Sequence, residues 1–461
     1  MAFIDREREL GALEKFWKGK EAQLIVIYGK RRIGKTELIK QFIKGKPHVY
    51  YLAQRINERE NLRLLGEAVG DYYKDDILKS AGFREWRWFF EYAQKHIRKR
   101  TIIVFDEFPY LADANKGISS IFQAGWDEHL KNIPVFLILC GSSIGMMENE
   151  VLSQKAPLFG RRTGQIFLQP FSFADACKFY PGLSFERCLE LFSVAGGNPS
   201  YLKRFDPKIS LDRNIHENIL RPETFLYDEV EFILREELRE PRNYFAILKA
   251  VALGKHKFGE IVNETGLAKS NLHKYLFILE DLRLIQKEIP VTEKNPLKSR
   301  KGIYKLQDQF IRFWFRYVLP NKRNIEEGTS DYVLKKIKDD FYTVVADNFE
   351  TVCRDIIDGH KDKLFLFEKI GRWWHKNEEI DLIAVNDEEK KILFGEAKWS
   401  KKPVGVDIYD NLKRKSRLVD WNKDERTEYF CLFSKSGFTE NLLKRAEKEQ
   451  IVLFQKDRLF E

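Results

Sequence analysis

An α/β protein built on a parallel sheet, with further modules after it, is predicted by three observations. Apolar runs of strand length, at 24–28, 49–53, 101–105, 135–140 and 165–168, alternate with segments of helical periodicity. The first run ends at Gly29, and after four residues Gly34-Lys35-Thr36 opens an amphipathic helix. From about residue 330 the pattern changes to one long helix, three strands, and then alternating helices and strands.

Bulk properties narrow the class. The 461 residues suffice for two to four domains, and 43% hydrophobic with 14% aromatic content excludes a mainly disordered chain. No run approaches the roughly 20 apolar residues of a bilayer span, and residues 1–10 lack an apolar secretory core. Five cysteines without a C-x-x-C pair suit a reducing compartment, so a cytoplasmic protein without membrane contact is expected. The net charge of +10 favours contact with phosphate polymers but is modest for this length, and ordinary solvated surface explains most of it.

The chain begins with a turn and helix over 3–16, with Leu10, Leu13 and Phe16 on one face. Strand 24–28 and helix 34–44 follow, and the link between them is the first functional signal. Consecutive backbone N–H groups at a helix N-terminus form a concave anion site, and glycine permits close approach. Strand, glycine-rich loop and Gly-Lys-Thr at the helix start make a phosphate-binding loop. Gly29, Lys30, Arg31, Arg32, Ile33, Gly34, Lys35, Thr36 and Glu37 are thereby expected to cradle ATP. Lys35 reaches the β- and γ-phosphates, and the Thr36 hydroxyl holds Mg²⁺.

A second strand occupies 49–53. Helical patterning covers 57–98, where Trp86, Trp88, Phe89, Phe90 and Tyr92 are expected in the core. Strand 101–105 delivers Asp106 and Glu107 to the end at which open α/β sheets bind ligands. Asp106 is expected to hold Mg²⁺ and Glu107 to polarise the attacking water. Strand 135–140 ends in Gly141-Ser142-Ser143. Ser142 is placed to sense the γ-phosphate or its water, a small-residue turn being the alternative. Arg161 and Arg162 precede strand 165–168. Each suits neutralising transition-state charge, within the chain or from a neighbouring copy in a homo-oligomer, and equally a surface ion pair.

These residues together resemble an archaeal-type ATPase of the AAA+/STAND branch of P-loop NTPases. The likeness rests on Phe3-x-Asp5-Arg6-Glu7-x-Glu9-Leu10, both nucleotide motifs, Gly141-Ser142-Ser143, Gly160-Arg161-Arg162 and Gly196-Gly197-Asn198-Pro199. It implies adenine contacts from Phe3 and Arg6 and an approach of Pro199 to the nucleotide. Gly-Gly-Asn-Pro also reads as an ordinary turn. The ATPase core is assigned to 1–195 and a helical lid or linker to 196–240.

Residues 241–325 read as a winged helix. Two short helices (245–252 and 258–265), a glycine turn at Gly266 and a third helix over 271–284 with Ser270 as N-cap fit helix-turn-helix. A hairpin, 284–291 with 302–306, carries Lys294, Lys298, Arg300 and Lys301 at its tip. On DNA, Lys269, Ser270, Asn271, His273 and Lys274 face the groove and the wing meets phosphates; a protein-docking module is the alternative. The aromatic helix 308–317 is expected to join domains.

The order from 326 to 461 (helix, three strands, then α-β-α-β) resembles the restriction-endonuclease-like PD-(D/E)XK fold. The resemblance implies a metal centre at Asp381 and Glu396, with Lys398 positioning the attacking water and Glu350 as a further carboxylate. Residues two apart on a strand share a face, so Glu396 and Lys398 point together. Converging carboxylates suit Mg²⁺, a hard oxygen-seeking ion. Ile380 stands where the family's motif has proline, which weakens the match. Tyr409, Asn411, Lys413 and Lys415 are offered to phosphates by the following helix.

The expected whole is an ATP-driven switch that controls DNA binding and, through the nuclease-like module, Mg²⁺-dependent cleavage. The alternative is a nucleotide-gated DNA-binding or scaffold protein with an inactive nuclease-like domain.

Overall fold

The computed structural model describes residues 4–238 and 240–460, in two compact units. The first runs to Phe179 and includes Asn198–Ser200; the second holds Tyr180–Gly197 and the chain from Tyr201 onward.

In the first unit, β1 (Gln23–Tyr28), β2 (His48–Leu52), β3 (Thr101–Asp106), β4 (Val135–Gly141) and β5 (Gly164–Phe167) form a sheet in the order β2-β3-β4-β1-β5. Every pairing is parallel. Strand alternation explains why both faces are covered. Leu24 and Val26 of β1, with Ile103 and Phe105 of β3, join the core under helices Glu58–Tyr73 and Trp86–His96. Ile25 and Ile27, with Ile102 and Val104, join the core under helices Glu7–Lys18 and Lys35–Ile43. β4 lies between the loop strand β1 and the acidic strand β3, so the ends of three strands converge on one edge.

The helical stretch 57–98 is three helices, Glu58–Tyr73, Asp76–Ala81 and Trp86–His96. Asp75 caps the second, and Gly82 ends it at φ 68. Trp86, Phe89 and Phe90 are buried as expected; Trp88, on the opposite face, is exposed.

The second unit opens with helices Phe185–Ala195, Leu211–Asn218 and Phe225–Glu237. The winged helix follows, with helices Pro241–Ala252, Phe258–Thr265 and Lys269–Asp281 and hairpin strands β6 (Ile285–Glu288) and β7 (Ile303–Leu306). Ser270 is not the N-cap: Ala268 holds that position, without a side-chain bond, and Ser270 lies in the first turn. The aromatic stretch Gln309–Phe313 continues through Trp314–Val318 and is buried. Trp314 Nε1 donates to the Tyr227 carbonyl at 2.6 Å and Phe245 packs edge-on against Phe315, so the stretch ties helix Phe225–Glu237 to helix Pro241–Ala252.

The helix Ser330–Asp358, 29 residues long, precedes β8 (Lys369–His375), β9 (Glu378–Asn386) and β10 (Lys391–Lys398). Helix Val406–Ser416, β11 (Thr427–Ser434), helix Glu440–Glu449, β12 (Val452–Gln455) and β13 (Arg458–Leu459) complete a mixed sheet ordered β13-β12-β11-β10-β9-β8. β8, β9 and β10 are antiparallel, and β11 and β12 run parallel to β10. Between β8 and β9 the register shifts: Gly371 pairs with Ile383 and Trp373 with Ile380, so Asp381 and Leu382 together oppose Arg372. A bulge therefore sits at Asp381 and turns it off the face used by Ile380 and Ile383.

Candidate functional sites

The glycine-rich loop leaves β1 through Gly29 (φ 149), Arg32 (φ 65) and Gly34 (φ 93). At Gly29 a Cβ would lie 2.3 Å from the Leu168 carbonyl, so only glycine fits. At Gly34 a Cβ would meet nothing nearer than the Pro199 ring, at 3.9 Å. Lys35 curls back, donating to the carbonyls of Gly29 (3.0 Å) and Lys30 (2.9 Å). Its burial holds the ammonium below its ordinary pKa. Ile33 is buried, and Glu37 is exposed in the helix's first turn.

The acidic strand end meets this loop. Thr36 Oγ1 donates to Asp106 Oδ2 at 2.8 Å, joining the two expected Mg²⁺ holders. The Tyr50 hydroxyl donates to the same oxygen at 2.6 Å. Burial, then Asp106, pushes the phenol's pKa well above its ordinary value, so Tyr50 remains a donor. Glu107 sits at φ 54, and its carboxylate is clasped by the Ser142 hydroxyl at 2.6 and 2.7 Å and the Ser142 N–H at 3.3 Å. Ser142 thus reaches the acid expected to polarise water.

Around the rim, Arg6 Nη2 donates to Gln169 O (2.7 Å) and Ile33 O (3.3 Å), and its guanidinium lies 4.3 Å over the Phe171 ring. Phe3 lies outside the described residues. Arg31 bonds the Tyr110 hydroxyl at 3.3 Å, and the Asn198 amide donates to the Arg31 carbonyl at 3.4 Å. The Asn198-Pro199 turn therefore borders the loop.

Arg161 and Arg162 are not brought to it. They precede β5, whose Gly164 pairs with Ile25 near the start of β1, whereas the loop follows the end of β1. Arg161 pairs with Asp127 at 3.1 Å, and Arg162 donates to Leu152 O at 2.9 Å. Charge neutralisation within one chain is thereby corrected: the strand's length separates these arginines from the loop.

In the second unit, Asp381 and Glu396 are buried on adjacent strands. Asp381 Oδ2 accepts the Ala397 N–H at 3.0 Å. Glu396 is held by Lys398 at 2.7 Å and by Lys415, a buried lysine of helix Val406–Ser416, at 3.3 Å. Burial opposes the Lys398 charge, but Glu396 and Asp381 keep its pKa above the ordinary value. Glu350, from the long helix, has Arg372 3.8 Å away. That contact is long and shared with Glu379 at 3.1 Å, so burial and Asp381 prevail and push Glu350 up to about 8. Burial, then Glu396, also raises Asp381. Sequence periodicity contains no signal for Arg372, because the bulge that sets it opposite Asp381 is a pairing property. Tyr50 escaped notice similarly: its partner Asp106 belongs to the neighbouring strand.

Tyr409 and Lys413 are engaged with Glu449 at 2.7 and 2.8 Å, and Asn411 with Arg414. On the winged helix, Lys269, Ser270, Asn271, His273 and Lys274 are exposed. The wing is not a free arm. Val291 N–H donates to the Arg372 carbonyl at 2.9 Å, Trp374 Nε1 donates to Lys301 O at 3.1 Å, and Lys301 pairs with Glu293.

Residues 3–205 match the model of an ATPase domain found predominantly in Archaea. The chain is also 40% identical over 441 residues to an uncharacterized protein of Methanocaldococcus jannaschii, covering 94% of this chain and 95% of the relative. The chain belongs to this archaeal ATPase family. Within the family member, residues 245–287 match the model of bacterial regulatory proteins of the arsR family, and 314–414 a model of archaeal and bacterial proteins of unknown function. Among solved structures, a Walker-type ATPase of Pyrococcus abyssi aligns with TM-score 0.49 and 23% identity, covering 68% of this chain and 96% of its own. The ORC2 protein of Aeropyrum pernix aligns with TM-score 0.44 and 15% identity, over 71% and 96%. Among the described residues no helix is long and apolar enough to cross a membrane.

Proposed function

We propose that this ATPase-family protein binds and hydrolyses ATP with Mg²⁺, and that the nucleotide state governs DNA binding and Mg²⁺-dependent phosphodiester cleavage. The observation that carries the first step is the joined set Lys35, Thr36–Asp106 and Glu107–Ser142 at one sheet edge. The loop's N–H groups and Lys35 bind the phosphates, for which Lys35 must leave the loop carbonyls. Thr36 and Asp106 offer the hard oxygen donors that fit Mg²⁺, which supplies charge neutralisation on the phosphates. Glu107 accepts the proton of the attacking water once Ser142 releases it, and Arg6 and Pro199 border the nucleotide. ATPase cores at 1–195, a lid at 196–240, a winged helix at 241–325 and a nuclease-like module at 326–461 remain our division of labour.

The exposed Lys269, Ser270, Asn271, His273 and Lys274 support groove contact by the third helix. In the C-terminal module Asp381 and Glu396 are the carboxylates that would hold Mg²⁺, with Glu350 near Asp381, and the ion would supply Lewis-acid stabilisation of phosphate charge; no group of three metal-ligating side chains is assembled among the described residues. Lys398, already on Glu396, orients the water. The full pairing of Glu396 by Lys398 and Lys415 favours a second reading, a binding-only domain on a nucleotide-gated scaffold. Plasmid nicking in Mg²⁺ by wild type and Asp381→Ala decides between them: no nicking with any divalent ion or nucleotide selects the scaffold. Heat-detected ATP binding, lost in Lys35→Ala, tests the switch. A role for Arg161 or Arg162 from a neighbouring copy requires a homo-oligomer, visible by sedimentation with ATP.

A further inference from the structure

Inside the second unit, a cavity of about 430 Å³ lies between the helix-turn-helix and the β8–β9 hairpin. Its walls are fixed by the wing's hydrogen bonds to β8, from Val291 N–H to Arg372 O and from Trp374 to Lys301 O. Its acidic lining residues are already engaged. Glu260 accepts the N–H groups of His256 and Lys257, Asp347 pairs with Arg312, Glu378 with Arg414, and Glu379 with Arg372. Lys257 and Lys376, both exposed, have no ion pair among the described residues, and Lys305 has only Glu288 at 3.6 Å. The lining holds five basic side chains against four carboxylates, an excess of one positive charge, and Lys257 and Lys376 stand at its exposed edge. The Trp374 indole lines the cavity beside these cations, with the His256 imidazole also in the wall. Arg372 belongs both to the cavity and to the carboxylate centre, through Glu350.

We infer that this crevice seats one unpaired DNA strand and leads its phosphodiesters to the centre at Glu350 and Asp381. Cations that track a backbone, beside an aromatic surface, are the chemistry of single-strand binding. The volume is that of a small-ligand pocket, enough for about one or two nucleotides and too small for a duplex. The inference rests on the reading that this protein acts on DNA, and it separates two DNA contacts: duplex on the helix Lys269–Asp281, single strand in the crevice.

The test uses the full chain in EDTA, with a fluorescent single-stranded 20-mer and the matching duplex followed by anisotropy. Lys257→Glu with Lys376→Glu should weaken the single strand about tenfold or more while changing duplex affinity less than about twofold. Lys269→Glu with Lys274→Glu should show the reverse. Lys257→Gln with Lys376→Gln, at unchanged Tm, should give a smaller loss in the same direction, which guards against misfolding. Unchanged single-strand affinity in both crevice variants overturns the inference. So does a crevice variant that loses a free mononucleotide but keeps the strand, which would mark a small-anion site. Wild type that binds neither form of DNA overturns the DNA reading itself, and intact strand binding in EDTA with no nicking in a parallel Mg²⁺ reaction overturns cleavage alone.

Discussion

Glu107 holds a left-handed backbone at φ 54, a conformation that costs a non-glycine residue about 1–3 kcal/mol and persists where surroundings impose it. Its carboxylate is gripped by Ser142, so the acid is oriented before any phosphate arrives. Glu107→Gln should keep ATP binding and lower turnover at least about 100-fold, measured by phosphate release beside calorimetry. Ser142→Ala removes a bond to a charged group and should slow turnover about tenfold with little change in ATP affinity. Tyr50→Phe frees an Asp106 oxygen from its donor and should raise the Mg²⁺ concentration for half-maximal activity about tenfold, because partners of a metal-holding carboxylate set its orientation. Lys35, Thr36, Asp106 and Glu107 were legible from the sequence since their spacing follows the chain locally. Tyr50 and Asn198 were not assigned roles, since their contacts join segments far apart in sequence.

Elements are joined by few, identifiable contacts. Helices Val406–Ser416 and Glu440–Glu449 meet at Glu449, which accepts from Tyr409 (2.7 Å), Lys413 (2.8 Å) and Arg445 (2.8 Å). Those donors, Lys413 first, pull its pKa to about 2 from an ordinary 4.5. A depressed carboxylate stabilises the fold above its unfolded value, and that contribution disappears as pH falls from about 4.5 through about 2. Glu449→Gln should therefore cost about 1–2 kcal/mol at neutral pH, partial exposure reducing the effect. The wild-type advantage should vanish near pH 2, as chemical denaturation at several pH values would reveal. Gly29→Ala places a methyl against the Leu168 carbonyl and should lower Tm together with ATP affinity. Strand runs and helix periodicity identified most elements. Asp75 and Gly82 divide the stretch 57–98 by capping and ending a helix, and the third helix of the winged module starts at Lys269 without a side-chain cap.

For the whole molecule, Asp381→Ala should abolish Mg²⁺-dependent nicking while leaving ATP hydrolysis within about twofold, which plasmid and phosphate assays on one preparation would establish. DNA affinity should fall steeply with salt and differ between ATP and ADP; a flat salt response would remove the electrostatic basis for binding. The sequence by itself determined the α/β class, the phosphate loop, the paired acids of β3, the helix-turn-helix and the strand pair carrying Asp381 and Glu396. All are encoded by short-range spacing or by the two- and 3.6-residue periods of strand and helix. Tertiary structure alone decided that Arg372 and Lys415 join those acids, that Arg161 and Arg162 stand at the far end of β5, and that the wing is pinned to β8. Strand order, a one-residue register shift and the docking of separate segments set these contacts, and each depends on pairing in space that neighbouring residues do not record.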